Sequence, residues 1–416
     1  MNTAPKALRL HIGIFGRTNV GKSSILNMLA NQDVAIASPI PGTTTDVVEK
    51  SMELLPIGPV TILDTAGLDD VSLLSEQRIE RTRRALDRID IAMLIIEPNV
   101  FTHYEQETIE LLAKRKIPFI VVVNKIDEAA LSTDVKDKLQ AMKSSYICVS
   151  STDLKNRDKY ITEIKHALVE KLPTDFITPP PLIGDLLPPN GLCILIVPID
   201  LQAPKGRLIL PQVQAIRDIL DASGMCLVVK ETEYLLSQKT LSREPDLVVC
   251  DSQVVHKMMA ETPTHIKTTT FSILFSRYKG DLLEEVRGAA SIKHIKPEDK
   301  ILIAEACSHH PTEDDIGRIK IPRWLMNYLG FQPNITIAAG RDFPEDLKEY
   351  KLIIHCGSCM LTRNEKLVRI MKAKEAGVPI TNYGVAISMT QDVLERALSP
   401  FPDALKIYYD TINLSS

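Results

Sequence analysis

The sequence predicts an α/β protein of three domains built on parallel-rich sheets, and three observations carry that expectation. Short apolar, strand-like runs alternate with helix-patterned segments along most of the chain, which requires crossover helices covering a mostly parallel sheet. At 416 residues the chain is too long for one ordinary core. A run at 173–191 holding Pro173, Pro179, Pro180, Pro181, Pro188 and Pro189 breaks the alternation and reads as a stiff interdomain linker.

In the first segment, 1–173, strands are expected at 8–15, 60–63, 91–96, 118–123 and 146–149. Helices fall between them on spaced apolar positions such as Ile25, Met28 and Leu29, and later Ile161, Ile164 and Leu168. The middle segment, 184–264, offers strands at 193–197, 227–229 and 247–250 and helices at 212–222, 233–242 and 253–261. So thin a layer has exposed edges that a second copy would cover by pairing edge to edge, so a dimerisation domain and a homodimer are expected. In the third segment, 265–416, strands are expected at 271–275, 301–304, 335–338, 352–354 and near Ile380. Its helices are expected at 322–329, 364–376 and 391–397.

An apolar fraction of 44% with 25% charged residues is that of a soluble globular protein. The net charge of −4, without a basic run, and the aromatic fraction of 5% argue against nucleic acid as a partner. The first residues, Met-Asn-Thr-Ala-Pro-Lys, lack the apolar core of a signal peptide, and the longest apolar stretches are too short to span a bilayer. A cytoplasmic protein with no membrane association is expected. In that compartment seven cysteines, an odd number, do not make a disulfide framework. Cys148, Cys193, Cys226 and Cys250 sit in or beside apolar runs and read as buried side chains.

Gly16-Arg-Thr-Asn-Val-Gly21-Lys22-Ser23 matches a phosphate-binding loop and lies between a strand and a helix. Its glycines let successive N–H groups, including those of Val20 and Ser24, point at phosphates beside the positive end of the helix. Lys22 would reach the β- and γ-phosphates, and the Ser23 hydroxyl would ligate magnesium. Asp64-Thr-Ala-Gly67 ends the second strand, with Asp64 holding the metal through water and Gly67 offering an N–H to the γ-phosphate. Pro41-Gly-Thr-Thr-Thr-Asp46 is the expected switch loop, with Thr44 the second magnesium ligand. Asn124-Lys125-Ile-Asp127 ends a buried strand, and Asp127 would accept from guanine N1 and N2, which adenine cannot satisfy. Ser150 and Ser151 would lie near the guanine O6. One of these motifs alone is a generic turn; the ordered set reads as a P-loop GTPase fold binding GTP.

This segment resembles the TrmE-Era branch of translation-factor-like GTPases. The resemblance implies that Asn19 helps bind potassium. Leu68 stands where small GTPases carry a water-orienting Gln, so potassium would take the place of an arginine finger, with slow intrinsic turnover.

A second constellation lies in the third segment, where Cys307-Ser-His309 and His355-Cys356-Gly-Ser-Cys359 each follow a strand. Ligand sites in open α/β sheets lie outside the carboxyl ends of strands, so both groups face one edge. Buried thiols would gather there only by chance, a Cys₃His zinc site is chemically sound, and an iron–sulfur cluster on Cys307, Cys356 and Cys359 leaves one iron open. That open position suits chemistry or transfer. His309 and His355 are each either a fourth ligand or a hydrogen-bonding neighbour.

C-x-H, a spacer of 45 residues and H-C-x-x-C resemble the HydF family, the GTPases that mature FeFe-hydrogenase. Supporting stretches are Phe275-Ser-Arg-Tyr-Lys-Gly-Asp281, Glu305-Ala-Cys-Ser-His-His-Pro311, Ile321-Pro-Arg-Trp-Leu325 and Ile380-Thr-Asn-Tyr-Gly384. The resemblance implies a [4Fe-4S] scaffold in the last domain that receives a transient diiron precursor from radical maturases and delivers it to the FeFe-hydrogenase apoprotein. The rival reading is a TrmE-Era-like GTPase acting on RNA, with a structural zinc.

Overall fold

The computed structural model describes residues 9–30, 48–64, 82, 84–172, 180–199, 208–306, 315–340, 343–344, 346–357 and 361–413. The chain divides into two compact units, Met1–Pro179 and Pro180–Ser416.

Six strands build the first unit: β1 (Leu10–Phe15), β2 (Val48–Leu54), β3 (Gly58–Asp64), β4 (Ile91–Ile96), β5 (Phe119–Val123) and β6 (Tyr146–Cys148). Their order is β2-β3-β1-β4-β5-β6, parallel throughout except for the β2–β3 pair. The helices are α1 (Lys22–Ala30), α2 (His103–Lys114), α3 (Thr133–Ala141) and α4 (Arg157–Lys171). Alternate strand residues feed two cores. Ile12, Ile62, Met93 and Val122 pack with α1 and α4, while Phe15, Leu63, Leu94 and Val121 pack with α2 and α3. Burial on both faces explains why β4 reads as a continuous apolar run.

The second unit holds two four-stranded sheets, each parallel throughout. One contains β7 (Leu192–Ile196), β8 (Met225–Val229), β9 (Leu247–Cys250) and β10 (Lys267–Thr270) in the order β10-β9-β7-β8. The other contains β11 (Lys300–Ala304), β12 (Asn334–Ala338), β13 (Leu352–His355) and β14 (Ile380–Asn382) in the order β12-β11-β13-β14. Its main helices are α5 (Leu210–Asp221), α6 (Tyr234–Thr240), α7 (Val255–Glu261), α8 (Phe271–Lys279), α9 (Leu282–Ala290), α10 (Ile321–Leu329), α11 (Arg363–Glu375), α12 (Tyr383–Thr390), α13 (Leu394–Ala397) and α14 (Pro402–Asn413). A single apolar cluster contains Ile194 and Val248 of one sheet with Ile303 and Ile354 of the other.

Several expectations are corrected. Residues 271–275 begin α8 rather than form a strand, because the Thr270 side chain accepts from the Ile273 N–H at 3.2 Å and caps a helix. A short apolar run cannot separate a buried strand from a buried helix. The strand lies just before it, and β10 pairs with β9, so the expected third segment supplies an edge of the middle sheet. That edge is not open, since Thr268, Thr269 and Thr270 are fully buried and the Thr268 N–H donates to Ser399 Oγ at 3.0 Å. The opposite edge, β8, exposes Met225 and Val228. The second half of the expected linker is folded, with Leu182, Ile183 and Gly184 donating their N–H groups to Asp218 Oδ2 at 3.1, 2.8 and 2.7 Å. The sequence reading did not foresee β2, α9, α12 or α14.

The second unit also buries a charge. Glu285 of α9 is fully buried beside Lys366 Nζ of α11 at 2.8 Å and His355 Nε2 of β13 at 3.1 Å. Ser276 of α8 and Asn382 of β14 donate to its second oxygen. Burial alone would raise its carboxyl pKa, but Lys366 and His355 override that and hold it far below the usual range. Removing one partner of a buried pair strands the other charge, so Glu285→Ala should destabilise the second unit by about 3–5 kcal/mol. Glu285→Gln combined with Lys366→Met, which removes both charges, should recover most of that loss. Thermal unfolding of the three proteins checks this; equal loss in the single and double variants would contradict it.

Candidate functional site

The phosphate loop occupies the turn from β1 to α1. Gly16 (φ 143°), Asn19 (φ 66°) and Gly21 (φ 97°) take positive φ values, which glycine accepts freely and Asn tolerates better than most residues. Side chains are also sterically excluded at both glycines: a Cβ on Gly16 would strike the Ile95 carbonyl, and one on Gly21 would strike Asn124 Nδ2. Lys22 Nζ lies within the loop, donating to the Gly16 carbonyl at 2.5 Å and the Arg17 carbonyl at 2.9 Å. Ser23 and Ser24 sit in the first turn of α1, and buried Asp64 closes β3 beside Ile14.

Asn124, fully buried, joins the phosphate loop to the guanine side of the site. Its Nδ2 donates to the Val20 carbonyl at 2.9 Å, and its Oδ1 accepts from the Ser151 N–H at 3.0 Å. Asn124 is therefore a latch between loops. The expected base acceptor, Asp127, lies close by, with Thr152 Oγ1 donating to it at 3.1 Å. A hydrogen bond from Ser150 holds its carboxyl below the usual carboxylate range, with Thr152 adding to the effect, so it is an ionised acceptor at neutral pH. Lys125, in the left-handed region at φ 64°, pairs with Glu97 Oε1 at 2.8 Å, which raises its pKa. Thus Gly16, Asn19, Val20, Gly21, Lys22, Ser23, Ser24, Asp64, Asn124, Lys125, Asp127, Ser150 and Ser151 all lie at the carboxyl ends of β1, β3, β5 and β6, in the turns that leave them, in the first turn of α1, or, for Asp64, at the last strand residue. Thr44, Gly67 and Leu68 lie outside the described residues.

Sequence reasoning missed Arg17, Glu97 and Glu105. Arg17 Nε donates to Glu105 Oε1 at 2.6 Å, and its guanidinium lies 3.4 Å from Glu97 Oε2. The other oxygen of Glu105 closes the capping box of α2, accepting from the Thr102 N–H and hydroxyl at 2.6 Å each. The T-x-x-E pattern at 102–105 could have revealed the cap, though not the second partner of Glu105.

In the second unit, β11 and β13 are neighbours with Ala304 opposite His355. Cys356 donates its N–H to the Ala304 carbonyl at 3.0 Å, and its sulfur accepts from the Ala306 N–H at 3.2 Å. Cys307, His309 and Cys359 lie outside the described residues; among those described, no three His, Cys, Asp or Glu side chains gather as a metal site. Of the three expected thiolates only Cys356 lies among the described residues, and a strand-end sulfur that accepts a backbone N–H suits an iron–sulfur ligand. His355 is fully buried, its Nε2 engaged by Glu285 and its Nδ1 without a hydrogen-bond partner among the described residues. Burial lowers its pKa, so the ring is neutral at neutral pH. Of the cysteines read as packing residues, Cys193 and Cys250 are fully buried and Cys148 and Cys226 half-buried. Among the described residues no helix is long and apolar enough to cross a membrane.

Three family matches tile most of the chain. Residues 11–125 match the family described as 50S ribosome-binding GTPase, 182–280 the Hydrogen maturase F dimerization domain, and 283–400 the Hydrogen maturase F tetramerization domain. The first unit is thus a GTPase domain, and the second carries oligomerisation domains. Among curated proteins, the chain is 33% identical over 195 residues to GTPase Der of Chlamydia pneumoniae, covering 42% of this chain and 38% of that one. It is 43% identical over 120 residues to the tRNA modification GTPase MnmE of Nostoc sp., covering 28% of this chain and 26% of that one. It therefore spans well under half the length of these relatives. Among solved structures, the G domain of the T. maritima FeoB iron transporter is similar at 22% identity and a TM-score of 0.30, covering 39% of this chain and 98% of that one.

The latch makes a specific prediction. Asn124→Ala leaves the Val20 carbonyl and Ser151 N–H without their shared partner, a loss of about 1–3 kcal/mol. GDP should bind at least fivefold more weakly to this variant, because both halves of the site loosen together. Titration with a fluorescent GDP analogue measures the change, and unaltered affinity would show that the loops hold without the latch.

Proposed function

The chain belongs to the hydrogen maturase F family, and on that footing we propose that it hydrolyses GTP and serves as a metallocluster scaffold in hydrogenase maturation. One observation carries the reading: a single chain joins a GTPase domain to both oligomerisation domains of that family. In this reading residues 1–173 bind GTP, 184–264 form a homodimer, and 265–416 hold a [4Fe-4S] cluster. The cargo is a diiron precursor received from radical maturases and passed to the FeFe-hydrogenase apoprotein. Likeness to the tRNA-modification GTPase covers only 28% of this chain, so it gives an RNA-directed role no support beyond the first unit.

For hydrolysis, the loop N–H groups and Lys22 bind the β- and γ-phosphates, while Asp127 fixes the base. Water adds to the γ-phosphorus as the bond to the β–γ bridging oxygen breaks, yielding GDP and inorganic phosphate. Magnesium, held by Ser23 and Thr44 and through water by Asp64, would neutralise developing charge when bound. Asn19 and the loop would likewise hold potassium, which supplies positive charge where other GTPases use arginine.

Cys307, Cys356 and Cys359 would hold the cluster, and the Ala306 N–H donates to the sulfur of one of them. His355 had two open roles, ligand or hydrogen-bond donor to cluster sulfur. With Glu285 ionised and accepting at Nε2, that nitrogen carries the proton, and Nδ1 keeps a lone pair. A nitrogen without a proton cannot donate, so the ligand role suits the ring better. His309 keeps both roles.

Measurements at each of the two sites test the proposal. GTP turnover should be several-fold faster in potassium than in sodium, and Lys22→Ala should abolish it while leaving iron content unchanged; equal rates in the two salts remove the role given to Asn19. Anaerobically purified protein should be brown, with iron rather than zinc by metal analysis. Cys307→Ser, Cys356→Ser or Cys359→Ser should each lose most of that iron while GTP turnover persists. A full cluster signal by electron paramagnetic resonance in reduced Cys307→Ser would overturn the cluster assignment.

A further inference from the structure

The two loops that handle the ends of a nucleotide are tied together by one carboxylate, Glu97, outside the recognised motifs. Glu97 follows β4 directly and divides its oxygens between two cations. Oε1 accepts from Lys125 Nζ at 2.8 Å, and Oε2 faces the Arg17 guanidinium at 3.4 Å. Lys125 belongs to the guanine-reading loop. Arg17 is the second residue of the phosphate loop, and its carbonyl accepts from Lys22 Nζ at 2.9 Å. The Arg17 side chain is turned away to Glu105, which is fully buried and pinned by the Thr102 cap. It is therefore anchored on α2 and does not act as a phosphate ligand.

We propose that Glu97 is a positioning residue that fastens the guanine-reading loop to the phosphate loop through Lys125 and Arg17, setting guanine-nucleotide affinity. Three features favour this over a chance surface pair. Each cation has a backbone tie to a nucleotide loop, so the pair joins elements distant in sequence. Glu97, Arg17 and Lys125 are each only about a quarter exposed, where an ion pair is screened less than on an open surface. Lys125 also adopts a left-handed backbone at φ 64°, so the turn that carries the guanine-reading residues holds a sparsely populated conformation beside the Glu97 contact. Glu97 touches neither the phosphates nor the reacting water, so its effect belongs in binding.

This inference rests on the guanine-nucleotide reading of the first unit, and the experiment separates the two. Binding of fluorescent GDP and steady-state GTP turnover are measured for the full-length protein, Glu97→Ala, Glu97→Asp, Arg17→Ala and the Glu97→Ala/Arg17→Ala double variant. Glu97→Ala should raise the Kd for GDP roughly three- to tenfold through faster release, and raise KM alike, with kcat within twofold of the parent. GDP and IDP should weaken by the same factor, because Asp127, which distinguishes them, is untouched. Glu97→Asp should recover part of the affinity, and the double variant should lose less than the two single losses multiplied. Unchanged Kd in Glu97→Ala, or a loss confined to kcat, would overturn the proposal. Failure of the parent protein to bind GDP would instead remove the reading on which it rests.

Discussion

Parallel pairing is the constraint on which the rest of this structure depends. Every strand pair in the three sheets is parallel except β2–β3. Parallel strands need long crossovers, which cover both faces of each sheet and leave only the strand ends for chemistry. All carboxyl ends within one sheet then point the same way, so loops distant in sequence become neighbours without further contrivance. The loop after β1, Asp64 at the end of β3, Asn124 after β5 and Ser150 after β6 meet for this reason. In the second unit, the same rule sets Cys356 beside the segment leading to Cys307.

Topology delivers loops only to the right vicinity, and buried polar side chains then fix their spacing. Asn124 does this with neutral hydrogen bonds. One amide satisfies the Val20 carbonyl and the Ser151 N–H, and Gly21 must lack a side chain to admit it. Glu285 performs a similar task in the second unit with a charge, which is more demanding. A carboxylate withdrawn from water needs every lone pair occupied, and Lys366, His355, Ser276 and Asn382 together provide that.

Local chemistry was legible in the sequence, while long-range partnership was not. The phosphate loop, the strand ending at Asp64 and the Asn124 turn were readable because each needs specific residues at fixed spacing on a strand-to-loop transition. Residues 271–275 were misread because Phe-Ser-Ile-Leu-Phe, buried all round, carries no period to distinguish helix from strand. The antiparallel β2 was missed because Val48–Leu54 carries Glu49, Lys50, Ser51 and Glu53 at the sheet edge, with too few apolar positions to read as a strand. Arg17, Glu97 and Glu105 were invisible for another reason. Charged residues are common at loop entries, and only the folded sheet brings position 17 to 105. Glu285 was invisible too: it stands beside a second acid, Glu284, which pairs with Arg287 and Lys374, and nothing in the sequence marks which of the two is buried.

The position of Glu285 has a consequence for the second unit as a whole. Its partners span both family segments: Ser276 lies in the part matching the dimerization domain, and the remaining three lie in the part matching the tetramerization domain. The apolar core is equally shared, with β7 and β9 packing in one cluster with β11 and β13. A close-packed interior transmits displacement because it has little free volume to absorb it. Hydrogen bonds to a buried carboxylate are stiffer still, since stretching any of them exposes a charge that nothing else compensates. Helix α8, α9 and the His355 ring are therefore joined through a single buried carboxylate as well as through the shared apolar core.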